Sequence, residues 1–89
     1  MSDIEIMKAA IECFGEQAQE KVAMEECAEL IQAIIHKHRG REHNIAEEIA
    51  DVEIMLEQLK IINDCVEEVA DIRKGKIERL FNRIFDKCL

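Results

Sequence analysis

Asn44-Ile45-Ala46-Glu47-Glu48-Ile49-Ala50-Asp51-Val52-Glu53-Ile54-Met55-Leu56-Glu57-Gln58-Leu59-Lys60-Ile61-Ile62 is the stretch that decides the fold. Its apolar positions Ile45, Ile49, Val52, Leu56, Leu59 and Ile62 step by three and four, which is the spacing of one helical face. Asn44 is a good N-cap, and Glu47 three residues on can complete a capping box. The pattern predicts a helix over about 44–62. The break His38-Arg39-Gly40-Arg41 precedes it, and ahead of that break a second helix is expected over about 16–37, with apolar residues Ala23, Cys27, Leu30, Ile31 and Ile34. Gly15 separates off a short first helix at about 3–14. After Asn63-Asp64, a fourth helix over about 65–87 repeats the rhythm in Ile77, Leu80, Phe81, Ile84, Phe85 and Cys88. Gly75 inside it costs about 1 kcal/mol relative to Ala and marks a place for a kink or a close contact.

Composition agrees with helices. The 89 residues contain no Pro, Trp or Tyr and only three Gly, whereas strand-rich chains need turn residues at regular intervals. The length allows one domain, taken as residues 1–89, with a core too small to cover every apolar stripe. Ile34 with Ile35, Ile61 with Ile62, and Leu80 with Phe81 widen those stripes. The expectation is an all-α, antiparallel bundle of about four helices, completed by oligomerisation through helix faces.

A net charge of −8, from 20 acidic and 12 basic residues, argues against nucleic acid or an anionic membrane as the main partner. No apolar run approaches the ~20 residues of a membrane span. The acidic start Met1-Ser2-Asp3-Ile4-Glu5 lacks the positive charge of a signal peptide, so a soluble, cytoplasmic protein is expected. Cys13, Cys27, Cys65 and Cys88 form no CxxC, which argues against zinc. Cys27, Cys65 and Cys88 have apolar neighbours at helical spacing and are expected to be buried as small hydrophobes.

Two groups of acids stand apart from a solvated surface. One is Glu25-Glu26-Cys27-Ala28-Glu29, an EExxE pattern; the other is Glu48-Ile49-Ala50-Asp51, an ExxD pattern. At ~100° per residue, Glu48 shares a face with Val52, Met55 and Leu59, and Glu26 with Val22, Leu30 and Ala33. A carboxylate among packed apolar groups is costly unless it is paired or binds a cation. Folding the second and third helices antiparallel about the point between His38 and Arg39 sets Glu29 level with Glu48 and Glu26 level with Asp51. Four carboxylates then converge, and they require protonation, incoming bases or divalent cations. Hard oxygen ligands suit Mg²⁺ or Mn²⁺, and Mg²⁺ leaves room for phosphate oxygens.

These paired motifs, with their neighbours Leu30-Ile31-Gln32-Ala33 and Val52-Glu53-Ile54-Met55-Leu56, resemble those of the MazG-like nucleoside triphosphate pyrophosphohydrolases. The likeness covers most of the chain and is nearest to the short, single-domain, prophage-type members. It implies Mg²⁺-dependent hydrolysis of an NTP or dNTP to the monophosphate and pyrophosphate, in the service of nucleotide-pool house-cleaning. It also implies that Glu26, Glu29, Glu48 and Asp51 are metal ligands, that Glu25 orients or deprotonates the attacking water, and that the protein is a homodimer or homotetramer. The related phosphoribosyl-ATP pyrophosphatases carry a His soon after ExxD; this chain has Glu53-Ile54-Met55-Leu56 there and departs from that branch.

A triphosphate also needs positive charge. Lys76, Arg79 and Arg83 recur at three- and four-residue steps, and Lys76 and Arg79 are the candidates for phosphate contact, from a neighbouring copy or from the same one. The competing role is pairing with surface acids such as Glu67, Glu68 and Glu78. His36, His38 and His43 are irregularly spaced for zinc and suit a helix C-terminus, where positive charge is favoured. The alternatives to an enzyme are a catalytically silent helical oligomerisation or adaptor domain and a nucleotide-binding member without hydrolysis.

Overall fold

The computed structural model describes residues 1–88. Four helices follow in order: α1 (Asp3–Phe14), α2 (Glu16–His38), α3 (Ile45–Ile62) and α4 (Val66–Cys88). Among the described residues there is no strand, and no helix is long and apolar enough to cross a membrane. The expected all-α helical bundle is what forms.

Local chemistry accounts for several of the boundaries. Ser2 caps α1: its hydroxyl accepts from the Glu5 N–H at 3.1 Å, and the Glu5 carboxylate accepts from the Ser2 N–H at 3.3 Å. This capping box is legible as Ser2-x-x-Glu5. Gly15 ends α1 at φ 94° and Gly40 turns the chain after α2 at φ 69°, both in the left-handed region that costs glycine least. His36, Lys37 and His38 lie in the last turn of α2, where the helix dipole favours positive charge. Asn44 does occupy the cap position of α3, but its side chain caps no backbone N–H. Its amide instead donates to Glu48 Oε1 at 2.9 Å and to Glu47 Oε2 at 3.5 Å, so the anticipated box is replaced by side-chain bonds. Helix α4 runs unbroken through Gly75, which has open space around it.

The core is the α2–α3 hairpin, with α1 laid against both helices. The buried seam differs from the expected stripes. On α2 the buried residues are Gln19, Ala23 and Ala33, with Glu26 and Leu30 half-buried between them. On α3 they are Glu48, Val52, Met55 and Gln58. Ile31, Ile34, Ile49 and Leu56, expected inside, are exposed. Both helices carry apolar residues on more than one side, and only one side can face the hairpin partner.

Gln19 Nε2 donates to Gln58 Oε1 at 2.6 Å inside this seam. The two residues are equidistant from the point between His38 and Arg39, so the bond marks the register inferred from the acids. Gln19→Leu is expected to lower stability by about 1–3 kcal/mol, because it orphans a buried amide, and Gln19→Leu with Gln58→Leu should recover most of that loss. Urea unfolding of the two variants beside the parent measures both effects.

The cysteine expectation needs correction. Cys27 and Cys88 are exposed and Cys65 is half-buried, all as free thiols. Cys27 lies on the outer side of α2, and Cys88 lies on a helix that touches only α3 within the chain. That helix, α4, buries no residue and leaves Ile77, Leu80, Phe81, Ile84 and Phe85 open to solvent.

Candidate metal centre

The hairpin brings acids of α2 and α3 together. Oxygens of Glu26, Glu29 and Glu48 lie within 4.8 Å of one another. Glu48 is buried, Glu26 half-buried and Glu29 exposed, so the group opens from the seam toward solvent on the Glu29 side. Asp51 is half-buried next to it and outside that closest trio, yet its negative charge acts on both Glu26 and Glu48. Glu25 is exposed.

Electrostatics follow from this crowding. Burial, followed by the negative charges of Glu29, Asp51 and Glu48, pushes the Glu26 carboxyl from 4.5 up to about 7. Burial likewise raises the Glu48 carboxyl, the Asn44 hydrogen bond opposes the rise, and Glu29 and Asp51 add to it. No base figures among the charges acting on either group. Among the described residues the one salt bridge, Lys60 to Glu57 at 2.7 Å, lies two turns further along α3. Of the three ways to relieve four converging carboxylates, incoming bases are therefore not used within the chain. Protonation or a cation remains.

The donor set fits a hard divalent cation. Glu26 Oε2 and Glu48 Oε2 are buried and have no hydrogen-bond partner. A buried unpaired carboxylate oxygen is uncommon, and metal coordination is one of the few conditions that satisfies it. Asn44 holds the other oxygen of Glu48, as the groups that orient metal-binding carboxylates do. Sequence reasoning assigned Asn44 only a capping role; its position four residues before Glu48, one helical turn away, was the available signal.

The basic residues are not brought to this group within one chain. Lys76 and Arg79 line a small depression of about 370 Å³ on α4, together with Leu80 and Arg83. Among the described residues no histidine joins a three-residue group able to hold a metal. His43 Nδ1 accepts from the Ile45 N–H at 3.4 Å, a local bond at the entry to α3.

The chain matches no family model, no curated protein and no solved structure. Fold and site together define an all-α chain with a carboxylate cluster suited to a divalent cation.

Proposed function

We propose that the chain is a Mg²⁺-dependent nucleoside triphosphate pyrophosphohydrolase of the MazG-like kind, working in the cytoplasm as a homodimer or homotetramer. The observation that carries this reading is the trio Glu26, Glu29 and Glu48 within 4.8 Å, with two buried oxygens lacking partners and no base to neutralise them. Glu26, Glu29, Glu48 and Asp51 would hold the metal, with Mn²⁺ as a possible substitute. Bound there, Mg²⁺ neutralises phosphate oxygens and lowers the pKa of a water it binds. The remaining work falls to side chains. Glu25, one residue from Glu26 and open to solvent, orients the attacking water and accepts its proton. The water oxygen bonds to the α-phosphorus, the bond to the bridging oxygen breaks, and pyrophosphate leaves with the electron pair. Lys76 and Arg79 reach the phosphates from a neighbouring copy, since in their own chain neither figures among the charges acting on Glu26 or Glu48. The role proposed for this activity is clearance of aberrant nucleotides.

Pyrophosphate release from a panel of NTPs and dNTPs, with and without Mg²⁺, tests the reading. Mg²⁺-dependent release is expected. A Mg²⁺-linked thermal shift without product would instead identify a nucleotide-binding protein without hydrolysis. Absence of both would identify a helical adaptor.

A further inference from the structure

The chain exposes more surface than a folded monomer of its size. Its accessible area is 7339 Å², whereas about 5,400 Å² is expected at 10.3 kDa. The radius of gyration is 16.3 Å, against about 12 Å for a compact domain of this length. Helix α4 buries no residue, touches only α3 and presents Ile77, Leu80, Phe81, Ile84 and Phe85 on one face. The Phe81 and Phe85 rings stand 6.2 Å apart, centroid to centroid, as a ready apolar knob.

A receptor for that face exists on the same molecule. A groove of about 800 Å³ runs between α1, α3 and the base of α4, with Ile6, Ile54, Leu59 and Val69 in its lining. Arg73 is the last α4 residue to line it, so the arm beyond Arg73 projects past its own groove. That arm is about 22 Å long, long enough to lie along a neighbouring helix pair.

Charge selects the occupant. Residues 74–88 hold five bases and two acids, while residues 1–73 hold seven bases and eighteen acids. Asp3, Glu53 and Glu57 lie at the groove, with Lys60 already tied to Glu57 at 2.7 Å. Among the described residues no base of the arm is in a salt bridge. The body of a second copy is thus the acidic, groove-bearing surface that a basic, apolar arm fits. Each copy offers both an arm and a groove, so two copies exchanging arms about a two-fold axis satisfy both faces at once. The excess of about 2,000 Å² per chain exceeds the roughly 800 Å² per partner of a standard stable interface.

We propose that residues 74–88 of each chain lie in the α1–α3 groove of a second copy, so that the fold is completed by a reciprocal exchange of α4 arms. This pairing needs neither nucleotide nor metal, so failure of the enzyme reading leaves the pairing standing; a monomeric chain would remove the neighbouring-copy role of Lys76 and Arg79, while Mg²⁺-dependent pyrophosphate release is measured separately.

The test uses the full chain with the photo-crosslinking residue p-benzoylphenylalanine in place of Phe81, mixed with ¹⁵N-labelled chains. Light scattering should give twice the chain mass at micromolar concentration. Crosslinks should join residue 81 of one chain to α1, or to the Ile54 face of α3, in the other. Phe81→Asp with Phe85→Asp should halve the mass and keep the helical circular dichroism signal, since both residues are solvent-exposed within the chain. A monomeric parent overturns the proposal. So does an assembly whose crosslinks are absent, fall on α2, or join α4 only to α4.

Discussion

Glu48→Gln is expected to lower pyrophosphate release by more than about 100-fold and to leave the metal-free protein at least as stable as the parent. Glu48 is 6% exposed, with Oε1 held by Asn44 and Oε2 without a partner. Gln keeps the shape and keeps an acceptor for Asn44. Its amide can donate toward the Glu26 and Glu29 carboxylates at any pH, whereas in the parent Glu48 can do so only when protonated. Removing one charge from a buried cluster of like charges relieves the folded state, while the cation loses an anionic ligand. Glu48→Ala is less diagnostic, because it also removes side-chain volume from a buried position of the seam. Thermal unfolding in chelator and the Mg²⁺-induced rise in Tm should therefore move in opposite directions in Glu48→Gln: the first held or raised, the second diminished. A variant that fails to fold would mark Glu48 as a structural carboxylate and end the metal-centre reading.

Helix placement was legible because its signals are local. Gly15, the turn around Gly40 and the Asn63-Asp64 pair interrupt the periodicity where the chain turns, and the observed boundaries fall within one residue of those expected. Facing was less legible. Helix α3 has Ile49 and Leu56 on one side and Val52 and Met55 on another, and periodicity does not say which side meets α2. The structure selects the side that also carries Glu48 and Gln58. A hydrophobicity count would place those two residues outside. Burial of Cys27 and Cys88 failed for the same reason: apolar neighbours at helical spacing define a face, not the partner that covers it.

Within the site, register was the readable part. The hairpin midpoint places Glu26 and Glu29 beside Glu48 and Asp51, and the Gln19–Gln58 bond independently reports the same alignment. Distances were not readable. Asp51 lies outside the closest trio although Glu26 and Glu29, at the same i, i+3 spacing, both belong to it, because spacing sets a shared side of the helix and not which carboxylate oxygens approach. The basic stripe of α4 was correctly seen as a stripe, but its path relative to the acids depends on how the arm packs. That packing is a matter of tertiary or intermolecular contact.

In the absence of metal, stability is expected to fall as pH rises from about 4.5 to about 7. The folded Glu26 carboxyl holds its proton up to about 7, whereas its ordinary value is 4.5. Between those values the folded state binds more protons than the unfolded one, so raising the pH favours unfolding. Below 4.5 both states are protonated and this contribution is fully present; above about 7 it is gone. Glu48, raised in the same direction, adds to the slope. The groups facing Glu26 are Glu29, Asp51 and Glu48, all acidic, so none of them reverses the sign. Glu26→Gln should flatten the slope, and Glu29→Gln or Asp51→Asn should shift its midpoint to lower pH by removing a charge that holds the proton on. Mg²⁺ competes with that proton, so its stabilising effect should be small near pH 4.5 and grow toward pH 7. Thermal unfolding across this window, in chelator and in excess Mg²⁺, measures both trends. Stability that climbs with pH in chelator, or a slope unchanged in Glu26→Gln, would show that these acids do not share one enclosed site.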